Sequence, residues 1–171
     1  MFGLIERLLG VKRALFDILT EERYPQVTQD LVLPARDGRT APLPADLHPQ
    51  LADALGAQGV RALWTHQRSS WDAARRGEHF IVTTGTASGK SLCFNLPVID
   101  HLVRNESARA LYLYPTKALA QDQMRRLRSL AGGRMELAVY DGDTPADARR
   151  LARHHARLLL TNPDMLSMAM L

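Results

Sequence analysis

A Gly-Lys-Ser triplet between an apolar run and a helical segment constrains this chain more than any other feature. The apolar run is His79–Thr84, and residues 84–91 read TGTASGKS. Small residues let successive backbone N–H groups turn toward one anion, and the N-terminus of a following helix adds its dipole. The pattern therefore predicts a strand, a phosphate-binding loop and a helix that begins near Lys90.

The residues of this loop have separate predicted roles. Lys90 is the candidate catalytic residue, because its ammonium would reach the β- and γ-phosphates of a nucleotide, and the Ser91 hydroxyl would hold Mg²⁺. The other residues form the phosphate cradle: Thr84, Gly85, Thr86, Ala87, Ser88 and Gly89. Thr84 stands where the strict P-loop pattern has glycine, which favours a motor protein over a small-molecule kinase. A chance Gly-Lys-Ser at a helix start is the alternative interpretation, and the strand before it disfavours this.

A glutamine upstream of the loop is a candidate for base recognition. Gln67 precedes Lys90 by 23 residues. Its amide presents a donor and an acceptor side by side, which matches the N6 and N7 edge of adenine. A solvated surface glutamine is the alternative, but the place ahead of a phosphate loop favours adenine and hence ATP.

Short apolar runs alternate with helical stretches through most of the chain. The predicted strands are His79–Thr84, Arg109–Tyr114, Glu136–Tyr140 and Arg157–Thr161, and the predicted helices lie near 90–104, 117–131 and 145–155. This alternation predicts an α/β fold with a parallel sheet and helices on both faces. We assign the partial domain to residues 51–171.

An N-terminal extension over residues 1–50 precedes this domain. Apolar residues at helical spacing predict an amphipathic helix at 4–19. Residues 25–49 contain five prolines and predict an irregular connector, with one short strand at Asp30–Leu33.

Three further predicted strands end in helix-capping residues. Thr116 follows Pro115, Thr144 precedes Pro145, and Asn162 precedes Pro163, so a Thr or Asn would cap each next helix. In a parallel sheet all strand-to-helix turns open at one edge. We therefore expect these loops and the phosphate loop to form one rim that offers N–H groups to phosphates. Ordinary capped helices are the alternative for any one of them alone.

Four stretches together resemble a known group of motor proteins. Gly85–Pro97, Tyr114–Gln123, Tyr140–Pro145 and Leu160–Leu166 are similar to the bacterial DNA-repair helicases of the mitomycin repair factor A type, within the superfamily 2 DEAD/DEAH-box-like helicases. The resemblance covers roughly residues 60–171. It implies that the α/β fold is a RecA-like P-loop domain. It also implies an ATP- and Mg²⁺-dependent motor that separates DNA strands, with Gln67 reading adenine and Thr84–Ser91 as motif I. It also implies nucleic-acid contacts by these residues: Pro115, Thr116, Lys117, Gly142, Thr161, Asn162, Pro163 and Asp164.

The acidic pair that such an ATPase needs is missing. After Ser91 no two acidic residues are adjacent, so no pair is available to hold Mg²⁺ and orient water. We therefore expect the chain to be a truncated first lobe, inactive alone, with the acidic pair and the C-terminal helicase lobe beyond Leu171. A nucleotide-binding module without catalysis and another superfamily 2 translocase, such as a restriction-enzyme motor, are the competing interpretations.

Composition bears on the partner and the compartment. The net charge of +4 permits a nucleic-acid partner without requiring one. No segment approaches the roughly 18 apolar residues of a membrane helix, so we expect no membrane contact. Charged residues interrupt Met1–Thr20, which excludes a signal peptide and predicts a cytoplasmic location. The single cysteine, Cys93, cannot form an internal disulfide.

Overall fold

The computed structural model describes residues 38–133 and 135–170. The predicted N-terminal helix at 4–19 and the strand at Asp30–Leu33 lie outside these residues. The described elements are, in chain order, β1 (Thr40–Pro42), α1 (Pro49–Ala57), β2 (Ala62–Trp64), α2 (Thr65–Arg75), α3 (Lys90–Arg104), β3 (Ala110–Leu113), α4 (Lys117–Ala131), β4 (Leu137–Val139), α5 (Ala146–His155), β5 (Leu158–Thr161) and α6 (Pro163–Met170). None of these helices is long and apolar enough to span a membrane.

The central sheet has three parallel strands in the order β3–β5–β4. Leu158 at the start of β5 pairs with Ala110 of β3 on one side and with Leu137 of β4 on the other. All four residues of β5 are buried, as expected for a central parallel strand whose two faces are both covered.

Side chains of β5 alternate between two hydrophobic clusters, because successive residues of a strand point to opposite faces of the sheet. Leu158 and Leu160 pack in the larger cluster, with α3 and α4. Leu159 packs in the smaller cluster, with Ala152 of α5 and Met165 of α6. Helices therefore cover both faces of a parallel sheet, which confirms the predicted α/β class.

The predicted strand at His79–Thr84 is wrong for this structure. Residues 79–85 have no regular secondary structure, and Ile81 is 91% exposed. A strand requires a neighbour to complete its backbone hydrogen bonds, and no strand of the described residues pairs with this segment. Its apolar composition alone does not make it a strand. The helix after the loop nevertheless begins at Lys90, as predicted.

Residues 38–50 are more ordered than the predicted irregular connector. They belong to the compact unit Gly38–Leu171. Within this unit β1 pairs antiparallel with β2. The His48 N–H donates to Asp100 of α3 at 2.8 Å, and Arg104 of α3 donates to the Asp46 carbonyl at 2.6 Å. The domain boundary that we predicted between residues 50 and 51 stays a prediction. Residues 38–50 nevertheless pack on α3 within the compact unit.

Candidate functional site

The phosphate loop has the backbone conformation of an anion cradle. Ala87 (φ 58°) and Gly89 (φ 76°) both adopt left-handed conformations. Glycine adopts this conformation freely, whereas alanine pays roughly 1–2 kcal/mol for it. Left-handed residues within a turn direct neighbouring N–H groups into one concavity, the arrangement that binds phosphates in many proteins.

The helix behind the loop presents a free N-terminus. α3 begins at Lys90 after Gly89, and no side chain caps its first turn. In contrast, Thr116 caps α4 and Asn162 accepts a hydrogen bond at the start of α6. The first N–H groups of a helix need acceptors. A phosphate group fits the loop at α3, because its oxygens would satisfy these donors and the helix dipole favours a negative charge.

The Lys90 ammonium is folded back onto its own loop. It donates to the carbonyl of Thr84 at 2.8 Å and to that of Gly85 at 2.5 Å. The hydroxyls of Thr84 and Ser88 lie 2.6 Å apart and close the loop further. Phosphate oxygens are stronger acceptors than neutral carbonyls, so a nucleotide can displace these contacts. The part of Ser91 in holding Mg²⁺ stays a prediction.

Gln67 lies against the phosphate loop instead of facing open solvent. It is 5% exposed. Its Oε1 accepts from the Trp64 N–H at 2.9 Å, and its Nε2 donates to the Gly89 carbonyl at 3.0 Å. Both ends of the amide are therefore occupied by backbone groups. Adenine recognition by Gln67 stays a prediction, and it requires the amide to leave Gly89 when a nucleotide binds.

Sequence reasoning missed two neighbours of Gln67. The His66 Nε2 lies 3.0 Å from the Ser88 carbonyl oxygen. The Trp64 indole is 43% exposed and lies against Gly38, where an added Cβ would be 2.1 Å from the ring. Neither residue belongs to a motif that we used. The only available signal was that both lie within three residues of Gln67.

The loops after β3 and β4 lie at the same edge of the sheet because the strands are parallel, although β5 stands between them. The Lys117 Nζ lies 2.8 Å from Asp143 Oδ2. It also lies 3.3 Å from where a Cβ on Gly142 would be. The hydrogen bond that Lys117 donates to the Asp143 carboxylate raises the pKa of Lys117, so the ammonium stays charged. Two of the predicted nucleic-acid loops are thus in direct contact.

Two of the three predicted helix caps are present. The Thr116 Oγ1 accepts from the Leu119 N–H at 3.3 Å at the start of α4. The Asn162 Oδ1 accepts from the Met165 N–H at 2.9 Å, and Pro163 is the first residue of α6. Pro115 and Asp164, the other predicted contact residues at these two helix starts, are exposed.

The third predicted cap is wrong. The Thr144 hydroxyl donates to Asp141 Oδ1 at 2.9 Å, and α5 begins at Ala146 without a side-chain cap. Asp141 also accepts from the N–H groups of Asp143 and Thr144, each at 3.0 Å. A capping hydroxyl accepts from helix N–H groups, but the Thr144 Oγ1 instead accepts from the Asp141 N–H at 3.1 Å, and Pro145 stands at the N-cap position of α5.

Thr161 is placed differently from the other predicted contacts. It is 2% exposed, and its hydroxyl donates to the Tyr140 carbonyl at 2.6 Å, which joins the ends of β5 and β4. In this structure the hydroxyl does not reach the surface. The nucleic-acid assignment of Thr161 stays a prediction.

Arg149 of α5 is another residue that sequence reasoning missed. Its guanidinium donates to the carbonyls of Thr144 at 2.7 Å and Gly142 at 2.9 Å, and so fixes the loop after β4. With 19 arginines in the chain, its sequence context carried no signal. Beside this loop lies an open groove of about 650 Å³, which is lined by Lys117, Ala118, Gln121, Met124, Arg125, Arg128, Leu137, Ala138, Val139, Asp141, Asp143, Thr144 and Pro145.

Several known proteins are similar to this chain. It is 42% identical over 139 residues to the uncharacterized ATP-dependent helicase YprA of Bacillus subtilis, covering 80% of this chain and 19% of YprA. It is 34% identical over 157 residues to the ATP-dependent helicase HRQ1 of Saccharomyces cerevisiae, covering 89% of this chain and 14% of HRQ1. The chain thus spans about a fifth or less of the length of these relatives.

A solved structure and a family model agree with these relatives. The crystal structure of the DUF1998 helicase MrfA bound to DNA and AMPPNP superposes with a TM-score of 0.75 at 40% identity, covering 79% of this chain and 19% of MrfA. The similarity confirms the resemblance to helicases of the mitomycin repair factor A type. The sequence model of the DEAD/DEAH box helicases matches residues 64–171, more than half of the chain. The chain belongs to the DEAD/DEAH box helicase family.

Proposed function

We propose that this chain is the ATP-binding lobe of an ATP-dependent helicase that acts on DNA, in the cytoplasm and in DNA repair. The observation that carries the proposal is the phosphate loop, where left-handed Ala87 and Gly89 precede an uncapped helix that begins with Lys90. Similar proteins support it, since YprA and HRQ1 are ATP-dependent helicases and MrfA has been solved with DNA and AMPPNP.

The triphosphate of ATP lies in the loop from Thr84 to Ser91. Backbone N–H groups of the loop and of the first turn of α3 bind its oxygens, and the Lys90 ammonium moves from the Thr84 and Gly85 carbonyls to the phosphates. The Ser91 hydroxyl would hold a Mg²⁺ ion bound with the nucleotide, and that ion would supply neutralisation of the phosphate charge.

DNA lies along the edge formed by the loops after β3, β4 and β5. Thr116 and Lys117 contribute one part of this edge, Gly142 the second and Asn162 the third. The contact between Lys117 and the Gly142–Asp143 loop supports one continuous track. Contacts of this type go to the phosphate backbone, so we expect binding without strong base preference.

Nucleotide binding without turnover is the second candidate for these 171 residues on their own. Two buried acids of the described residues already have partners within the protein. Asp100 accepts from the His48 N–H and pairs with Arg104, while Asp141 is held by Thr144. Neither is placed to orient an attacking water.

Strand separation by the full-length protein tests the proposal. The wild type should unwind a DNA duplex with ATP and Mg²⁺ but not with ATP omitted, and Lys90→Ala should abolish unwinding while the unfolding temperature stays the same. An RNA duplex of the same sequence tests the DNA assignment. ATP-independent unwinding, or normal unwinding by Lys90→Ala, would refute the motor assignment.

A further inference from the structure

Two adjacent side chains of α2 hold two consecutive carbonyl groups of the phosphate loop. The His66 Nε2 lies 3.0 Å from the Ser88 oxygen. The Gln67 Nε2 donates to the Gly89 oxygen at 3.0 Å. The two peptide units that precede Lys90 are therefore both fixed from the same helix.

The directions of these two carbonyl groups fix the directions of the N–H groups in the same peptide units. A trans peptide unit is planar, and its C=O and N–H bonds point in opposite directions; no described peptide bond is cis. When the Ser88 carbonyl points toward α2, the Gly89 N–H points away from α2. The Gly89 carbonyl also points toward α2, so the Lys90 N–H also points away from α2.

These two N–H groups lie where the loop meets the helix. They lie between left-handed Ala87 and the first turn of α3, which no side chain caps. N–H groups at such a junction are the donors that bind an anion. Fixing the carbonyls from behind therefore orients these donors before any ligand arrives.

The chemistry of His66 agrees with a fixed donor role. A carbonyl oxygen can only accept, so Nε2 must carry the hydrogen that it shares with Ser88. We propose that His66 is a positioning residue of the phosphate loop, which holds the Ser88 peptide so that the Gly89 N–H faces the phosphates of the nucleotide. The inference rests on the proposed ATP site.

Nucleotide and phosphate affinities of the full-length protein test this role. His66→Ala should weaken ATP and inorganic tripolyphosphate by about 3- to 10-fold, the range for one lost hydrogen bond. Adenosine, which has no phosphate, should bind as it does to the wild type. His101→Ala, which removes an exposed histidine from α3, is the matched control and should change none of these affinities.

A conservative replacement separates positioning from simple packing. In His66→Gln the amide nitrogen is as many bonds from Cβ as the Nε2 of histidine, so this variant should recover most of the affinity for tripolyphosphate. In His66→Asn the amide is one bond shorter and should recover little. If His66→Ala does not fold, this Gln and Asn pair makes the same comparison.

Each result has a defined meaning. Wild-type tripolyphosphate affinity in His66→Ala, an equal loss for adenosine, or equal affinities of His66→Gln and His66→Asn would overturn the role of His66. Failure of the wild type to bind ATP or tripolyphosphate would instead overturn the proposed ATP site itself.

Discussion

The proposed DNA track predicts a salt dependence to which Lys117 contributes and which its ion pair with Asp143 limits. Each phosphate that a cation neutralises contributes about 0.7 to the slope of log affinity against log salt for single-stranded nucleic acid. Lys117→Ala should therefore lower this slope by up to about 0.7. When the salt concentration rises ten-fold, the ratio of wild-type to Lys117→Ala affinity for single-stranded DNA should therefore fall by up to about five-fold.

Asp143 limits how much Lys117 contributes to the salt slope of the wild type. Its carboxylate lies 2.8 Å from the Lys117 ammonium and both side chains are exposed, 80% and 47% respectively. A phosphate must compete with this carboxylate for the ammonium. Asp143→Asn should therefore raise single-strand affinity by about two- to five-fold, the range for an exposed ion pair, and should steepen the salt slope.

A double substitution separates the contribution of Lys117 from the effect of its partner Asp143. In the Asp143→Asn background, Lys117→Ala should remove the whole increment of about 0.7, because no carboxylate then masks the ammonium. The assay is a salt titration of single-strand affinity in the full-length protein, with homopolymer and mixed-sequence DNA. Arg76→Ala, which breaks a similar exposed pair with Glu78 at 2.7 Å away from this edge, is the control. Equal slopes with and without Lys117 in both backgrounds, or a strong base preference, would refute the track.

The remaining predictions concern residues around the phosphate loop, the N-cap of α4 and the 171 residues on their own. Gln67→Ala should weaken ATP more than GTP, because the proposed adenine reader is lost; equal losses for ATP and GTP would show that its amide only holds the Gly89 carbonyl. Gly89→Ala should destabilise the fold by about 1–2 kcal/mol in urea unfolding and should weaken ATP binding, because a Cβ there lies 2.7 Å from the Gln67 Nε2. The control is Gly56→Ala on α1, where a Cβ meets open space, and it should stabilise the fold by up to about 1 kcal/mol. Thr116→Ala should cost about 1 kcal/mol in the same assay, because α4 loses its N-cap. These 171 residues alone should show no ATP turnover in a phosphate-release assay, with or without DNA; Lys90-dependent turnover would contradict this.

Periodic patterns and local capping were predictable from the sequence. The run Leu158–Leu160 identified a buried strand because its covering helices require apolar residues on both faces. Asn162 and Thr116 were correctly identified as caps because a cap depends on residues within one turn of the helix. The start of α3 at Lys90 followed from the same local reasoning.

Features that depend on a partner outside the pattern used for the prediction were not predictable. The run His79–Thr84 has the composition of a strand, but pairing requires a neighbour that a local pattern cannot supply. Thr144 looked like a cap, yet its hydroxyl oxygen accepts from the Asp141 N–H instead of from a helix N–H. His66 and Arg149 act on backbone carbonyls of other loops, and a carbonyl acceptor leaves no trace in the sequence.

The central claim is that the Lys90 loop binds the phosphates of ATP. The most direct measurement compares ATP and AMP affinity of the full-length wild type and Lys90→Ala, with Mg²⁺ present. ATP affinity should fall by about 10- to 150-fold, the range for one lost charge-assisted hydrogen bond. AMP affinity should not change, because AMP has no β- or γ-phosphate for the ammonium to reach. Unchanged ATP affinity, or an equal loss for AMP, would contradict the account.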